Sequence, residues 1–293
     1  MTNDLTYLTK VLYSRSGFRV GRWLLVFFIL LIVFVIFFWG QQNSIKTQTV
    51  EVTSSELPAA FDGLRIVQVS DLHGKEMGME SETLLRAVAQ MEPDLIAITG
   101  ALIDQESQLD IARTLVEGLA DIAPTYYVTG NHEWAVKRVS ELKQMLTDCG
   151  VRVLTNEYEV WEKDGATLAI AGVDDPNGPA DQKTGDVLRQ EIDADYTILL
   201  AHRNTVEEYA GWGYDLVLCG HGHGGVIRIP ILDIGVLGTN REFFPEYDAG
   251  LYPFEQGGYC FVSRGLGSNT VPSYSFRLFN RPDLPLLILH SGE

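Results

Sequence analysis

An α/β domain carried behind a single apolar helix is the architecture this sequence predicts, and three observations lead to it. Seventeen residues from Trp23 to Trp39 are apolar without interruption. Beyond them, short runs rich in Val, Ile and Leu alternate with segments of helical spacing, the pattern of strand–helix units. Polar residues of the metal-binding type then recur where the apolar runs stop, as in Leu216-Val217-Leu218-Cys219-Gly220-His221-Gly222-His223. Open α/β sheets place their ligand sites at such strand ends.

The apolar run is near the lower length limit for a membrane-spanning helix, and a Trp at each end suits the two interfacial belts. Lys10, Arg15, Arg19 and Arg22 precede it, whereas Gln41, Gln42, Asn43 and Ser44 follow. The positive-inside rule therefore assigns 1–22 to the cytoplasm, 23–39 to a single-pass anchor in the cell membrane, 40–44 to a linker, and 45–293 to an extracytoplasmic domain. A cleavable signal peptide fits less well, because the run exceeds a usual h-region and no Ala-x-Ala-like site follows Gly40. A buried core helix is disfavoured by the one-sided charge.

Within the domain, Gln48, Val50 and Val52 alternate with polar residues and predict a half-buried strand from about Thr47. After a turn at Leu57-Pro58 and Phe61-Asp62-Gly63, the stretch 64–69 is a second strand. Leu84, Leu85, Val88 and Met91 share one helical face, and Pro93 ends that helix. Strand 94–99, a helix near 107–119 and strand 125–128 follow, then one helix from about Trp134 to Thr147. Strands are expected at 151–154, 157–162 and 167–171, with a turn at Asp164-Gly165. Asp174 to Gly178 is a loop, 184–191 a short helix, and 196–201 and 215–219 are strands. From Ile227 the chain is rich in Gly, Pro and aromatics, with late strands near 259–262 and 286–289.

The net charge of −17 leaves no basic footprint, so nucleic acid is not an expected partner. A phosphate-bearing substrate would need cations supplied locally, as bound metal would do. Cys149, Cys219 and Cys260 are far apart and include no Cys-x-x-Cys pair, which gives neither a disulfide framework nor a thiolate zinc site. Nothing in the sequence sets the oligomeric state.

Five of the six histidines fall at strand ends; His290 is the exception and reads as structural. Glycine permits the tight turning that lets His221 and His223 converge on one volume, and neutral imidazole is a common ligand of divalent transition metals. The bland alternative is a pair of solvated residues in a flexible loop.

Asp71-Leu72-His73, Gly130-Asn131-His132-Glu133, the isolated His202 and Gly220-His221-Gly222-His223 together resemble the calcineurin-like metallophosphoesterases in order and spacing, from about Ile45 to the C-terminus. The following Ile227-Arg228-Ile229-Pro230 is similar to the membrane-associated bacterial branch of that family. The resemblance implies a four-layer α/β/β/α sandwich with two mixed sheets and the metals at strand ends between them. It further implies that Asp71, His73 and His223 hold one divalent ion and that Asn131, His202 and His221 hold a second. His132 would protonate the leaving oxygen or stabilise charge, with Glu133 orienting it. Glu133, Asp104 and Arg203 are weaker candidates for contact with the substrate or with the ligands. Mixed His, Asn and carboxylate ligands suit Mn²⁺, Fe or Zn²⁺.

One position departs from the family. Its second block carries an Asp that bridges both metals, but here the block is Gly100-Ala101-Leu102-Ile103-Asp104. A methyl group stands in the bridging place, and Asp104 matches the last position of the block. Asp174 and Asp175 are acidic neighbours that nothing in the sequence places at the metals.

The leading expectation is a membrane-anchored dinuclear-metal phosphoesterase, impaired by Ala101 and with a weak second metal site. Its substrates would be phosphate-containing small molecules, lipid-linked phosphates or pyrophosphates, or cell-envelope polymers. The alternative is a degenerate member of the fold acting as a binding or scaffold module. The segment 238–252, with Asn240, Arg241, Phe243, Phe244 and Tyr247, is either a substrate-facing loop or a cover for the core.

Overall fold

A computed structural model describes residues 3–239, 242–268 and 276–292, with side chains from Val20 onward. The apolar run lies in one continuous helix, α1 (Asn3–Asn43), whose stretch Val20–Asn43 is long and apolar enough to cross a membrane. The polar residues after Trp39 continue the helix, and Ser44 N–H still bonds to Gly40 O at 3.0 Å. The segment 40–44 is therefore mostly a last helical turn, and two residues separate the helix from the first strand.

The domain is a four-layer sandwich with two six-stranded mixed sheets. Its elements are β1 (Lys46–Ser54), β2 (Arg65–Val69), α2 (Glu82–Ala89), β3 (Leu95–Thr99), α3 (Leu109–Ile122), β4 (Thr125–Val128), α4 (Asn131–Val136), α5 (Val139–Asp148) and β5 (Arg152–Val153). Then come β6 (Glu157–Lys163), β7 (Ala166–Gly172), α6 (Gly185–Glu191), β8 (Tyr196–Leu200), α7 (Val206–Ala210), β9 (Leu216–Cys219), β10 (Arg228–Ile229), β11 (Ile234–Gly235), β12 (Gly250–Pro253), β13 (Tyr259–Val262) and β14 (Asp283–Ser291). One sheet runs β1-β14-β2-β3-β4-β5, the other β12-β13-β9-β8-β7-β6, and β10 and β11 form a separate hairpin.

Strand periodicity explains the layers. Ile66, Leu95 and Ala97 point from the first sheet into a core shared with Ile198, Leu216 and Leu218 of the second. Their alternates Val67, Val69, Ile96 and Ile98 pack outward against Leu84, Val88, Leu115 and Leu142 of the helices. On the far side, Val217 and Cys219 pack with Leu188, Val206 and Tyr209 beneath α6 and α7. Each central strand is apolar on both faces because each is covered on both faces. The strands β2, β3 and β4 are mutually parallel, as are β7, β8, β9 and β13, so each set presents its carboxyl ends along one edge.

Some elements differ from expectation. The helix expected over 134–147 is two helices, because Lys137 adopts φ 60° and ends α4. Its start is earlier as well: the Glu133 carboxylate accepts Gly130 N–H at 2.7 Å and caps a helix that begins at Asn131. The short α7 and β12 had no counterpart in the sequence reading. The last strand is nine residues long because it pairs in parallel with all of β1.

Candidate metal centre

The loops that follow β2, β3, β4, β8 and β9 meet at one edge of the sandwich. Asp71 N–H bonds to Gly100 O at 3.1 Å, and His73 N–H bonds to Ala101 O at 2.9 Å, which zips the first two loops together. Five non-glycine residues here lie in the left-handed region: Asp71 (φ 51°), His73 (55°), Ala101 (50°), His221 (66°) and His223 (50°). Each such residue costs of order 1 kcal/mol, and clusters of them mark sites where surrounding structure imposes the backbone. Gly220 shows how tight the approach is, since a Cβ there would lie 2.3 Å from Asp71 Oδ2.

Asp71, His73 and His223 form a first donor set, all three buried. Asp71 Oδ2 accepts from the Ser70 hydroxyl at 2.6 Å and from His221 N–H at 2.9 Å. Among the described residues Asp71 Oδ1 has no hydrogen-bond partner, yet it lies 3.9 Å from His73 Nε2 and 3.7 Å from His223 Nε2. His73 Nδ1–H donates to the Asp104 carboxylate at 2.6 Å, which orients the ring so that Nε2 lies 3.1 Å from His223 Nε2. Burial, then the neighbouring His73 and Arg277, hold His223 well below the ordinary imidazole range, so its ring is neutral. A buried carboxylate oxygen without a donor is costly. Here it converges with imidazole nitrogens on one point, and the donor chemistry fits a divalent cation there.

Asn131, His202 and His221 make the second set. His202 Nδ1–H donates to Thr99 O at 2.8 Å, which fixes the tautomer and turns Nε2 inward. That Nε2 lies 2.9 Å from Asn131 Oδ1 and 3.2 Å from His221 Nδ1. Burial, followed by the neighbouring His202 and Arg203, depresses His221 well below the usual imidazole value. Neutral imidazole is the ligating state. The two sets adjoin, because His221 N–H holds Asp71 while its ring faces His202.

Ala101 sits fully buried in the loop between them. Glu133 reaches into that loop: its two carboxylate oxygens accept Leu102 N–H (2.6 Å), Gly130 N–H (2.7 Å), Ala101 N–H (3.1 Å) and Ile103 N–H (3.2 Å). The acidic neighbours are engaged elsewhere. Asp174 accepts from Lys143 Nζ at 2.7 Å and from the Thr129 hydroxyl at 2.8 Å, and Asp175 accepts from Arg203 Nε at 2.6 Å. Arg203 also brings Nη1 within 3.3 Å of His221 Nε2.

The carboxylate seen at His132 is that of Asp104, whose Oδ1 lies 2.7 Å from His132 Nδ1. Burial alone would depress this imidazole. The Asp104 hydrogen bond and charge, backed by Glu133 and Asp71, outweigh it and raise the His132 pKa above its ordinary value. One fifth of the His132 side chain is exposed, so this imidazole faces solvent while Asp104 favours its protonated form.

Of the segment 238–252, Phe243 and Phe244 are exposed and Tyr247 O accepts from Asn204 Nδ2 at 2.8 Å; Asn240 and Arg241 lie outside the described residues. Arg277 carries no sequence signal, yet it is buried behind the site with Nη2 3.4 Å from His223 Nδ1. A cleft lined by Asp175, Pro179, Lys183, His202, Arg203 and Trp212 opens beside the second donor set.

Comparison with known proteins follows this geometry. Residues 64–225 match the model of the calcineurin-like phosphoesterase family. The chain is 33% identical over 264 residues to a bovine "transmembrane protein with metallophosphoesterase domain", covering 83% of this chain and 57% of that one. The chain thus spans little more than half the length of that relative. It is 30% identical over 260 residues to a metallophosphoesterase of Aquifex aeolicus, covering 84% and 92%. With the phosphodiesterase YaeI of Escherichia coli it shares 27% identity over 241 residues, covering 77% and 82%.

Proposed function

From the premise that this chain belongs to the calcineurin-like phosphoesterase family, we propose that it is a membrane-anchored, dinuclear-metal phosphoesterase cleaving phosphodiester or pyrophosphate bonds of lipid-linked or cell-envelope molecules. The observation that carries this reading is Asp71 Oδ1, buried and without a donor beside two imidazole nitrogens. Asp71, His73 and His223 hold one ion; Asn131, His202 and His221 hold the other. When bound, such ions polarise phosphoryl oxygens and make water nucleophilic near neutral pH. His132 gives its proton to the leaving oxygen, and Asp104 keeps that proton in place. Glu133 acts through the backbone, fixing the loop that carries Ala101.

Anchoring by α1 supports substrates at the bilayer, and the four basic residues before Trp23 support an extracytoplasmic domain. A second reading, a binding or scaffold module, is favoured by Ala101 alone: both acidic neighbours are already paired with cations, so neither is available as a bridging carboxylate.

Metal analysis joined to hydrolysis of a generic aryl phosphodiester separates the two readings. The enzyme reading expects bound metal and slow turnover that Ala101→Asp increases. Metal-free protein, with no turnover in either form, would leave only the scaffold.

A further inference from the structure

The helix α1 is clamped to the domain at the metal edge. Gln42 Nε2 donates to Arg277 O at 2.6 Å, and Arg277 N–H donates back to Gln42 Oε1 at 2.9 Å. Lys75 Nζ, two residues beyond His73, donates to Gln42 O. Arg281 holds the joint that follows, donating to Ser44 O at 3.0 Å and to Ile45 O at 3.0 Å. With its last turn and its two-residue joint both pinned, the helix gives the domain little freedom to swing.

This clamp fixes a depth. The Phe37 ring packs on Phe279 of the domain, with centroids 5.7 Å apart. Phe37 stands inside the apolar run, about 3 Å short of Trp39 along the helix at 1.5 Å per residue. A domain side chain therefore sits level with the spanning segment itself.

Backbone pairings tie the Phe279 segment to further exposed apolar residues. Leu278 bridges Ile227, β10 pairs with β11, Leu237 bridges Phe243, and Phe244 N–H bonds to Val236 O at 3.0 Å. These strands expose Ile231 (95%), Leu232, Ile234, Phe243 (74%), Phe244 and Phe279 to solvent. The frame beneath them is firm. Buried Arg228 donates to Gly224 O at 2.8 Å, to Asp233 Oδ1 at 2.9 Å and to Asp248 Oδ2 at 3.1 Å. The patch is thus a built surface that starts directly after the ligand loop 221–225. A cluster of exposed apolar side chains on one face marks an interaction surface.

We propose that this patch is a membrane-docking surface: it inserts into the leaflet from which α1 emerges and lays the metal edge at headgroup level. The occupant is the bilayer because Phe37 and Phe279 make the patch continuous with the spanning helix. The headgroup zone extends about 5–8 Å beyond the hydrocarbon on each side, and the helix ends four residues past Trp39, about 6 Å. With a net charge of −17 the attraction is apolar, so docking needs no anionic lipid. The inference rests on α1 being a membrane anchor.

The test uses the full chain in phosphatidylcholine vesicles. A polarity-sensitive fluorophore is placed at Ile231→Cys, Phe243→Cys or, on the exposed β6–β7 turn, Asp164→Cys, each in a Cys149→Ser background, and quenched by spin-labelled lipid. We expect blue-shifted emission and quenching at 231 and 243 at least about threefold stronger than at 164, unchanged by adding anionic lipid. Labels at 231 and 243 as wet and unquenched as the label at 164, in protein that resists alkaline extraction, would overturn docking while leaving the anchor standing. Protein stripped by alkaline extraction would overturn the anchor, and docking with it. Shielding of 231 and 243 only upon self-association, traced by cross-linking, would show the patch to be a contact between copies and would also overturn the proposal.

Discussion

Oδ1 of Asp104 lies 2.7 Å from Nδ1 of His132, and the same oxygen accepts Nδ1–H of His73 at 2.6 Å. One carboxylate oxygen thus holds both the ring that faces solvent and a ring of the first donor set. Its two imidazole partners overcome burial and keep Asp104 ionised well below the usual carboxylate range.

The first prediction follows from that pairing. Asp104 raises the His132 pKa, so a step that needs protonated His132 survives to higher pH than an ordinary imidazole would allow. Asp104→Asn removes the charge; the alkaline limb of the pH–kcat profile should move to lower pH, with kcat down about 10- to 100-fold. Metal content measured alongside separates this effect from a change at His73. An alkaline limb that stays put would show that Asp104 does not govern this proton.

His221→Ala and His223→Ala each remove one donor from a different set. Each variant should lose about one ion per chain in elemental analysis while its far-UV circular dichroism stays unchanged. Unaltered metal stoichiometry in either variant would refute the ligand assignment for that residue.

Ala101→Asp addresses charge. Two unit charges 4 Å apart repel by about 4 kcal/mol at an effective dielectric of 20, and two divalent ions by about four times as much. Asp71 is the one carboxylate in the two donor sets to set against this. Asp also tolerates the left-handed backbone at this position better than Ala does. The variant should bind the second ion more tightly and raise kcat on the order of 100-fold. Equal occupancy and rate in both proteins would mean that the bridge is dispensable.

Glu133→Gln tests the backbone clamp. Glutamine retains one acceptor oxygen for four N–H groups and turns an amide donor against two of them. Loss of charge-assisted bonds in a buried site should lower unfolding stability by about 2–4 kcal/mol, measured by urea titration in detergent. A change below about 0.5 kcal/mol would show that the loop holds itself.

Asp283 gives a pH dependence of stability. Burial, only partly offset by Arg264, Lys46 and Arg277, pushes its carboxyl up to about 6. A raised carboxyl favours the protonated folded chain, so its penalty is absent below about pH 4, grows to about pH 6 and is complete above. Against an ordinary value of 3.8 the full penalty is roughly 3 kcal/mol. Asp283→Asn should therefore melt higher than the parent at pH 7.5 and no higher at pH 4. A constant difference across that range would contradict this account.

The convergence of the candidate donors was legible because they stand at the ends of apolar strands. Asp71, His73, Asn131, His202, His221 and His223 each follow such a run, and parallel strands bring those ends to one edge. The partnerships behind them were not legible. Asp104 reaches His73 across 31 residues of sequence and Glu133 reaches Leu102 across 31, so only the folded chain juxtaposes them. Arg277 and Gln42 belong to no motif. The break at Lys137 escaped the reading because nothing local marks a lysine for the left-handed region, and α7 is too short for its periodicity to register.

The parallel pairing of β1 with β14 has a consequence for how the protein is made. Among the described residues β1 is the outermost strand of its sheet, and its one neighbour is β14. During synthesis it waits for a partner encoded more than 200 residues later, roughly ten to fifty seconds at 5–20 residues per second. Until then the strand that follows α1 remains an unpaired edge, so this sheet closes only once β14 has been made. Removing β14 would therefore strip partners from both β1 and β2.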